Sequence, residues 1–162
     1  MRSKNIDLDE RDIEILKLIQ GNCKLSTKQI ASKIGSPITT IYARIKRMEE
    51  LGVIKGYNTV LDAKSLGKKA TAFILASVAY TVPKLDGVTS QRKIAEEISK
   101  FPEVQEVHII SGDWDLIIKV RAEDTEAMGH FVVDKLRTVL GIEKTLTCMV
   151  FETVKEGTTI NL

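Results

Sequence analysis

The chain has 162 residues, 43% of them hydrophobic and 28% charged, enough to bury a core as one domain or two small ones. No run approaches the roughly 18 apolar residues of a membrane span. "MRSKNIDLDERD" passes from basic to acidic residues without an apolar h-region, so a cytoplasmic protein away from membranes is expected. The net charge of +2 is uneven: residues 1–60 carry 11 Lys or Arg against 7 Asp or Glu, and residues 61–162 carry 13 against 15.

In "LDERDIEILKLIQ", Asp9 is placed to cap a helix, with Leu8 and Ile13 as a hydrophobic staple and Ile13, Leu16 and Ile19 as the apolar stripe. The acids at 9, 10, 12 and 14 suit the positive end of its dipole. "STKQIASKI" opens a second helix with a Ser26–Gln29 capping box and stops at Gly35. Pro37 then fits the first turn of a third helix, in which Ile41, Ile45 and Met48 recur at helical spacing until Gly52. Three short helices with a tight turn between the last two make a helix-turn-helix, whose later helix enters the DNA major groove.

Residues 23–56 carry 7 basic side chains against 2 acidic ones, so positive charge gathers around this third helix. With Ile41, Ile45 and Met48 inward, Thr39, Thr40, Tyr42, Ala43, Lys46 and Arg47 occupy the open face, and Arg44 sits at the edge of the stripe. Thr and Tyr near a helix start meet base edges and thymine methyls, whereas Lys46, Arg47 and Arg44 meet phosphates or guanines. The β-prone "GVIKGYNTVL" suggests a wing or a connecting strand. Cys23 and Cys148 have no CxxC or histidine spacing for zinc and are expected as buried or half-buried apolar residues.

"ATAFILASVAY" reads as an apolar strand, and residues 83–89 as a loop. "SQRKIAEEISKF" puts Ile94, Ile98 and Phe101 on one helical face. "VQEVHIISGDWDLIIKV" is a strand, a turn at Gly112 and Asp113, and a strand. "DTEAMGHFVVDKLRTVL" is a helix with Met128, Phe131, Val132, Leu136 and Val139 inward, and "IEKTLTCMVFETV" a last strand. This βαββαβ order is that of the ferredoxin-like fold. The turn pairs Ile109 with Leu116 and His108 with Ile117. Val107, Ile109, Leu116, Ile118 and Val120 then face the helices, and His108, Ile110, Asp115, Ile117 and Lys119 face away, where a second copy of the chain is the expected cover.

"LDERDIEILKLIQGNCKLSTKQIASKIG" followed by "IYARIKRMEELGVIKGY" resembles the amino-terminal half of the Lrp/AsnC transcription regulators, the feast/famine regulatory proteins, and "SGDWDLIIKV" resembles a second signature of that family in its expected place. The resemblance implies an α+β chain. Residues 1–54 are expected to form a winged-helix-like, DNA-binding helix-turn-helix domain, residues 55–69 a connecting strand or linker, and residues 70–162 a ferredoxin-like domain for oligomerisation and effector binding. Its implied partner is double-stranded DNA, bound through Thr39, Thr40, Tyr42, Arg44, Lys46 and Arg47. It implies homodimers joined through the open sheet face, here His108, Ile110, Ile117 and Lys119, and assemblies up to octamers. It also implies a free amino acid or related small effector, with no other cofactor, at Gly112, Asp113, Trp114, Asp115, Thr145 and Thr147.

Two features depart from the family pattern. Trp114 stands where a tyrosine is common, and residues 81–90 make a longer link from first strand to first helix. Two other readings stand beside this one. An architectural protein that wraps DNA with little sequence preference shares the basic patch, and a ferredoxin-like enzyme would draw on His108, Asp113 and Asp115 as an acid–base cluster. Against the enzyme, the sequence has no nucleophile placed with His108, no phosphate-cradling glycine motif and no metal-ligand spacing, so neither catalytic residues nor a metal site are expected.

Overall fold

The structure is a computed structural model that describes residues 6–79 and 90–162. The chain divides into two compact units, residues 1–60 with 156–162, and residues 61–155.

The first unit packs α1 (Glu10–Gly21), α2 (Thr27–Ile34) and α3 (Ile38–Glu50) around Ile15, Ile19, Ile30, Ala31, Ile41 and Met48. Both expected N-caps are present as reciprocal capping boxes, Asp9 with Asp12 and Ser26 with Gln29. The inward face of α1 is rotated from the expected stripe. Asp12, Ile15 and Ile19 are buried, while Ile13 and Leu16 are half-buried, because the Asp12 carboxylate turns inward to meet arginines of α3. Gly35 ends α2 at φ 70°, a left-handed cap that glycine adopts without a Cβ penalty. Pro37, at ψ 141°, lies just outside α3 rather than in its first turn.

After α3, Gly52 at φ 73° reverses the chain, and the Val53 and Ile54 amides both donate to the Met48 carbonyl, at 2.9 and 3.2 Å. This returns both side chains to the helical core. The expected wing or connecting strand does not form. Residues 55–61 hold no strand, and Val60 and Leu61 are exposed, since a β-prone segment without a neighbouring strand has no ladder to join. Within this unit the Gln20 side-chain amide donates to the Ile160 carbonyl at 2.7 Å and accepts from its amide at 2.9 Å.

The second unit is a four-stranded antiparallel sheet, β1 (Ala70–Val78), β2 (Val104–Ile109), β3 (Leu116–Ala122) and β4 (Ile142–Met149), in the order β2-β3-β1-β4. Two helical segments cover one face. These are α4 (Gln91–Ile98) and α5 (Thr125–His130), the latter continued by a π-helical turn over Phe131–Lys135 and a 3₁₀ turn over Leu136–Thr138. This is the ferredoxin-like arrangement read from the sequence. Alternation places Ala72, Ile74, Ala76, Leu116, Ile118 and Val120 inward without exposure, against Ile94, Ile98, Met128, Phe131, Val132, Leu136 and Val139. Phe101 meets Phe131 edge to face, with ring centroids 5.8 Å apart.

The hairpin register is as read: His108 pairs with Ile117 and Ile109 with Leu116, and the Ile110 amide donates to the Asp115 carbonyl at 2.9 Å. Gly112, at φ 122°, supplies a backbone conformation that an L side chain would strain. Three expectations change. Ile109 is 46% exposed, as the last residue of the edge strand β2. The last strand stops at Met149, past which only the Val150 amide still bonds to β1, leaving Phe151 and Val154 exposed. Both cysteines are exposed, Cys23 in the loop after α1 and Cys148 opposite Phe73 on the helix-free side of β4. The loop expected at 83–89 and most of the long link at 81–90 lie outside the described residues.

Ile118 is fully buried on the central strand β3. Ile118→Ala is expected to lower unfolding free energy by about 2–5 kcal/mol, measured by urea denaturation.

Candidate nucleic-acid interface and ligand cleft

The open face of α3 is organised by a buried acid. Asp12 is 1% exposed, and a carboxylate removed from water must be paired and hydrogen-bonded. Arg44 Nη1 donates to Asp12 Oδ1 at 2.8 Å and to Asp9 Oδ2 at 2.7 Å. Arg47 Nη1 reaches Asp12 Oδ2 at 3.2 Å, and its Nη2 donates to the Asp7 carbonyl at 3.0 Å. The Asp12 amide in turn donates to Asp9 Oδ1 at 2.9 Å. The Asp12 amide, followed by the Arg44 guanidinium, holds the Asp9 carboxyl below its ordinary value, and the two acids push Arg44 further up. Arg11 ties α1 to the turn before α3 through a 2.8 Å bond to Ser36 Oγ.

Of the six residues expected to bind DNA, four line one broad depression of about 700 Å³: Thr39, Thr40, Arg44 and Arg47, together with Ala43, Asp7, Asp9 and Asp12. Arg44 is 27% exposed and braced on both acids, while Arg47 is 49% exposed. Tyr42 and Lys46, one helical turn apart, line a different cleft of about 360 Å³ with Ile45, Glu49 and Tyr57. The Tyr57 hydroxyl donates to Glu49 Oε1 at 2.8 Å, and burial together with this carboxylate pushes its pKa up to about 12. The outer face of α3 therefore has two adjoining stripes, one gripped from α1 and one carrying exposed Tyr42 and Lys46, the latter 3.9 Å from Glu50.

The hairpin tip has a different character. Gly112 and Asp113 are exposed and Trp114 is half-buried. The Asp115 carboxylate is already engaged: Oδ2 accepts from the Val78 amide at 2.7 Å and Oδ1 from Gln91 Nε2 at 2.6 Å. A cleft of about 410 Å³ brings Trp114 and Thr145 together with Arg137, Ile142, Glu143, Lys144 and Leu146. Gly112, Asp113, Asp115 and the half-buried Thr147 are not among its lining residues. Arg137, which sequence reasoning missed, donates from Nε to Thr145 Oγ1 at 3.1 Å. No motif marks it. Only the pairing of β4 beside β1 brings the 3₁₀ turn, the start of β4 and the hairpin tip to one place.

On the helix-free face, His108 and Ile117 are cross-strand partners, Ile110 and Ile117 are half-buried, and Lys119 is 12% exposed. Lys119 bonds Glu106 at 3.0 Å and His108 lies 3.3 Å from the same carboxylate, which the lysine chiefly, and then the histidine, holds below its usual range. Phe73 and Leu146, 37% and 47% exposed, add apolar area to this face that sequence reasoning did not place there. The hydrogen-bond partners of His108 and Asp115 are separate, so no acid–base pair links them. Among the described residues no three His, Cys, Asp or Glu side chains are arranged to hold a metal ion, and no helix is long and apolar enough to cross a membrane.

A helix-turn-helix head joined in one chain to a ferredoxin-like sheet with a ligand-sized cleft defines a two-domain, DNA-binding regulator. Family models agree over both parts: a winged helix-turn-helix DNA-binding model matches residues 8–55, and the Lrp/AsnC ligand-binding domain matches residues 71–160. An uncharacterised HTH-type transcriptional regulator of Pyrococcus abyssi is 42% identical over 149 residues, 92% of this chain and 96% of the relative. The HTH-type transcriptional regulator FL11 of Pyrococcus horikoshii is 33% identical, over 94% and 95%. A transcriptional regulator of Neisseria meningitidis, solved as its L-methionine complex, superposes with a TM-score of 0.87 at 25% identity, over 96% of this chain and 97% of that one. The chain belongs to the Lrp/AsnC family of transcriptional regulators.

The asymmetry between the two arginines is measurable. Arg44→Ala leaves the buried Asp12 with one arginine and is expected to cost about 1–3 kcal/mol, whereas Arg47→Ala, at a half-exposed site, is expected to cost about 0–1 kcal/mol. Denaturant melts of the two variants check the order.

Proposed function

We propose that this transcriptional regulator reads operator DNA with the outer face of α3, and that a small effector bound in the carboxy-terminal unit biases the assembly that presents it. The observation that carries the reading is the α3 face itself, where Thr39, Thr40 and Arg47 open onto one depression beside exposed Tyr42 and Lys46. Thr39, Thr40 and Tyr42 suit base edges, Lys46 and Arg47 suit phosphates, and Arg44 acts by bracing Arg47's neighbourhood while adding positive potential. The division of labour is residues 1–54 for DNA, 55–69 for connection, and 70–162 for assembly and sensing.

The helix-free face, with Ile110, Ile117, Phe73 and Leu146 between His108 and Lys119, suits a second copy of the chain. A two-fold dimer engages two half-sites and gains avidity through linkage. Further association, up to octamers, follows the family's habit. The effector reading rests on the cleft at Trp114 and Thr145, next to Gly112, Asp113 and Thr147, and on the L-methionine complex of the Neisseria relative. A free amino acid or a related small molecule there changes DNA affinity by as much as it discriminates between assembly geometries. Asp115, tied to Val78 and Gln91, acts by fixing the hairpin tip rather than by meeting the ligand. The role is regulatory rather than enzymatic, and cytoplasmic.

Arg47→Ala is expected to weaken binding to all duplexes and to reduce the salt slope by about one, whereas Thr40→Ala is expected to change the ranking of operator variants. Fluorescence anisotropy over a salt series checks both. Equal losses on every duplex from both variants would favour the architectural, sequence-blind alternative.

A further inference from the structure

The charges of the Trp114 cleft are lopsided. Its lining includes two cations, Arg137 and Lys144, and one acid, Glu143. Arg137 is fixed at one edge only: Nε donates to Thr145 Oγ1 at 3.1 Å, and its two terminal nitrogens have no protein partner among the described residues. A guanidinium held in this way presents its remaining planar edge, whose two parallel N–H groups match a carboxylate. Lys144, the neighbour of Thr145 on β4, also lines the cleft, is exposed and has no ion pair among the described residues. Trp114, Ile142 and Leu146 supply apolar surface for a short carbon chain.

Among the described residues, no second acid lines the cleft to balance these charges. The Asp115 carboxylate is spent on the Val78 amide and Gln91, and Asp113 does not line the cleft. A cationic ligand side chain would therefore meet two like charges and a single acid, and a neutral one would leave Lys144 unmatched. From this geometry we propose that the cleft takes a small dicarboxylate, an acidic amino acid or its 2-oxo-acid counterpart. Arg137 anchors one carboxylate, Lys144 meets the other, and Glu143 receives an α-ammonium where the ligand has one. The proposal names the ligand class for the effector site described above and rests on that reading.

Isothermal titration of the full chain with L-glutamate, L-aspartate, 2-oxoglutarate, L-methionine and L-lysine tests it, alongside Arg137→Met and Trp114→Ala. Arg137 is exposed and its one bond is to a side chain, so a melting curve is expected to show Arg137→Met folded. The expected result is binding of at least one dicarboxylate at least tenfold tighter than methionine or lysine. Arg137→Met should then weaken it at least tenfold and leave ligand-free DNA binding unchanged. Glutamate or aspartate binding without 2-oxoglutarate would assign the amino acids, and the reverse would assign the oxo acid. Methionine or lysine binding that Trp114→Ala abolishes and Arg137→Met spares would overturn the dicarboxylate assignment while leaving the effector reading standing. A dicarboxylate that binds equally well to Arg137→Met would overturn the role of Arg137. No binding by any of the five would overturn both.

Discussion

The reading head is organised around one buried carboxylate. Asp12 has lost its water, and the desolvation is tolerable only because two arginines, Arg44 and Arg47, reach its oxygens from α3 while the capping box engages its backbone amide and a side-chain oxygen. The same contacts set the angle at which α3 is held against α1 and fix where its outer residues stand. A side chain that must meet a base edge within a few tenths of an ångström needs such a rigid mount. The arrangement also means that phosphate oxygens approaching Arg47 compete with an internal acid.

In the carboxy-terminal unit the governing constraint is one-sided coverage. Both helical segments lie on one face of the sheet, so the inner positions are filled by small and branched apolar side chains and the outer ones are left with a mixture: Phe73, Leu75, Ile117 and Leu146 among Glu106, His108 and Lys119. A face of that composition is costly in water and well suited to a copy of itself. At one end of the sheet, the hairpin tip, the 3₁₀ turn after α5 and the start of β4 converge, and the cleft forms where three loops meet on a rigid frame. The helix-free face and the cleft meet on β4 at Leu146, which is exposed on that face and also lines the cleft.

Much of this was legible in the sequence, for physical reasons. Caps and staples are local, so Asp9, Ser26 and Gly35 announced the ends of α1 and α2. Strand alternation and a Gly-Asp turn gave the His108–Ile117 register, because a hairpin's pairing is fixed by its turn. What failed was non-local. The rotation of α1 depends on a partner 32 residues away, the Asp12–Arg44 bond, which no helical period encodes. Residues 55–61 have strand propensity, yet propensity makes no strand without a neighbour. Cys148 was expected inside by residue type, but the helix-free side of an edge strand decides its exposure. The bonds of Asp115 to the Val78 amide and Gln91 were likewise not encoded in any local pattern, and Arg137 was invisible until β4 was laid beside β1.

The most direct test of the account is binding of the full-length chain to labelled DNA from upstream of its own gene and to a shuffled duplex of the same composition, across a salt series. Sequence reading by α3 predicts a preference for the upstream DNA of roughly 4 kcal/mol or more that persists as salt rises. Equal affinities that fall together and steeply with salt would mean that the head grips phosphate alone, and would contradict the account.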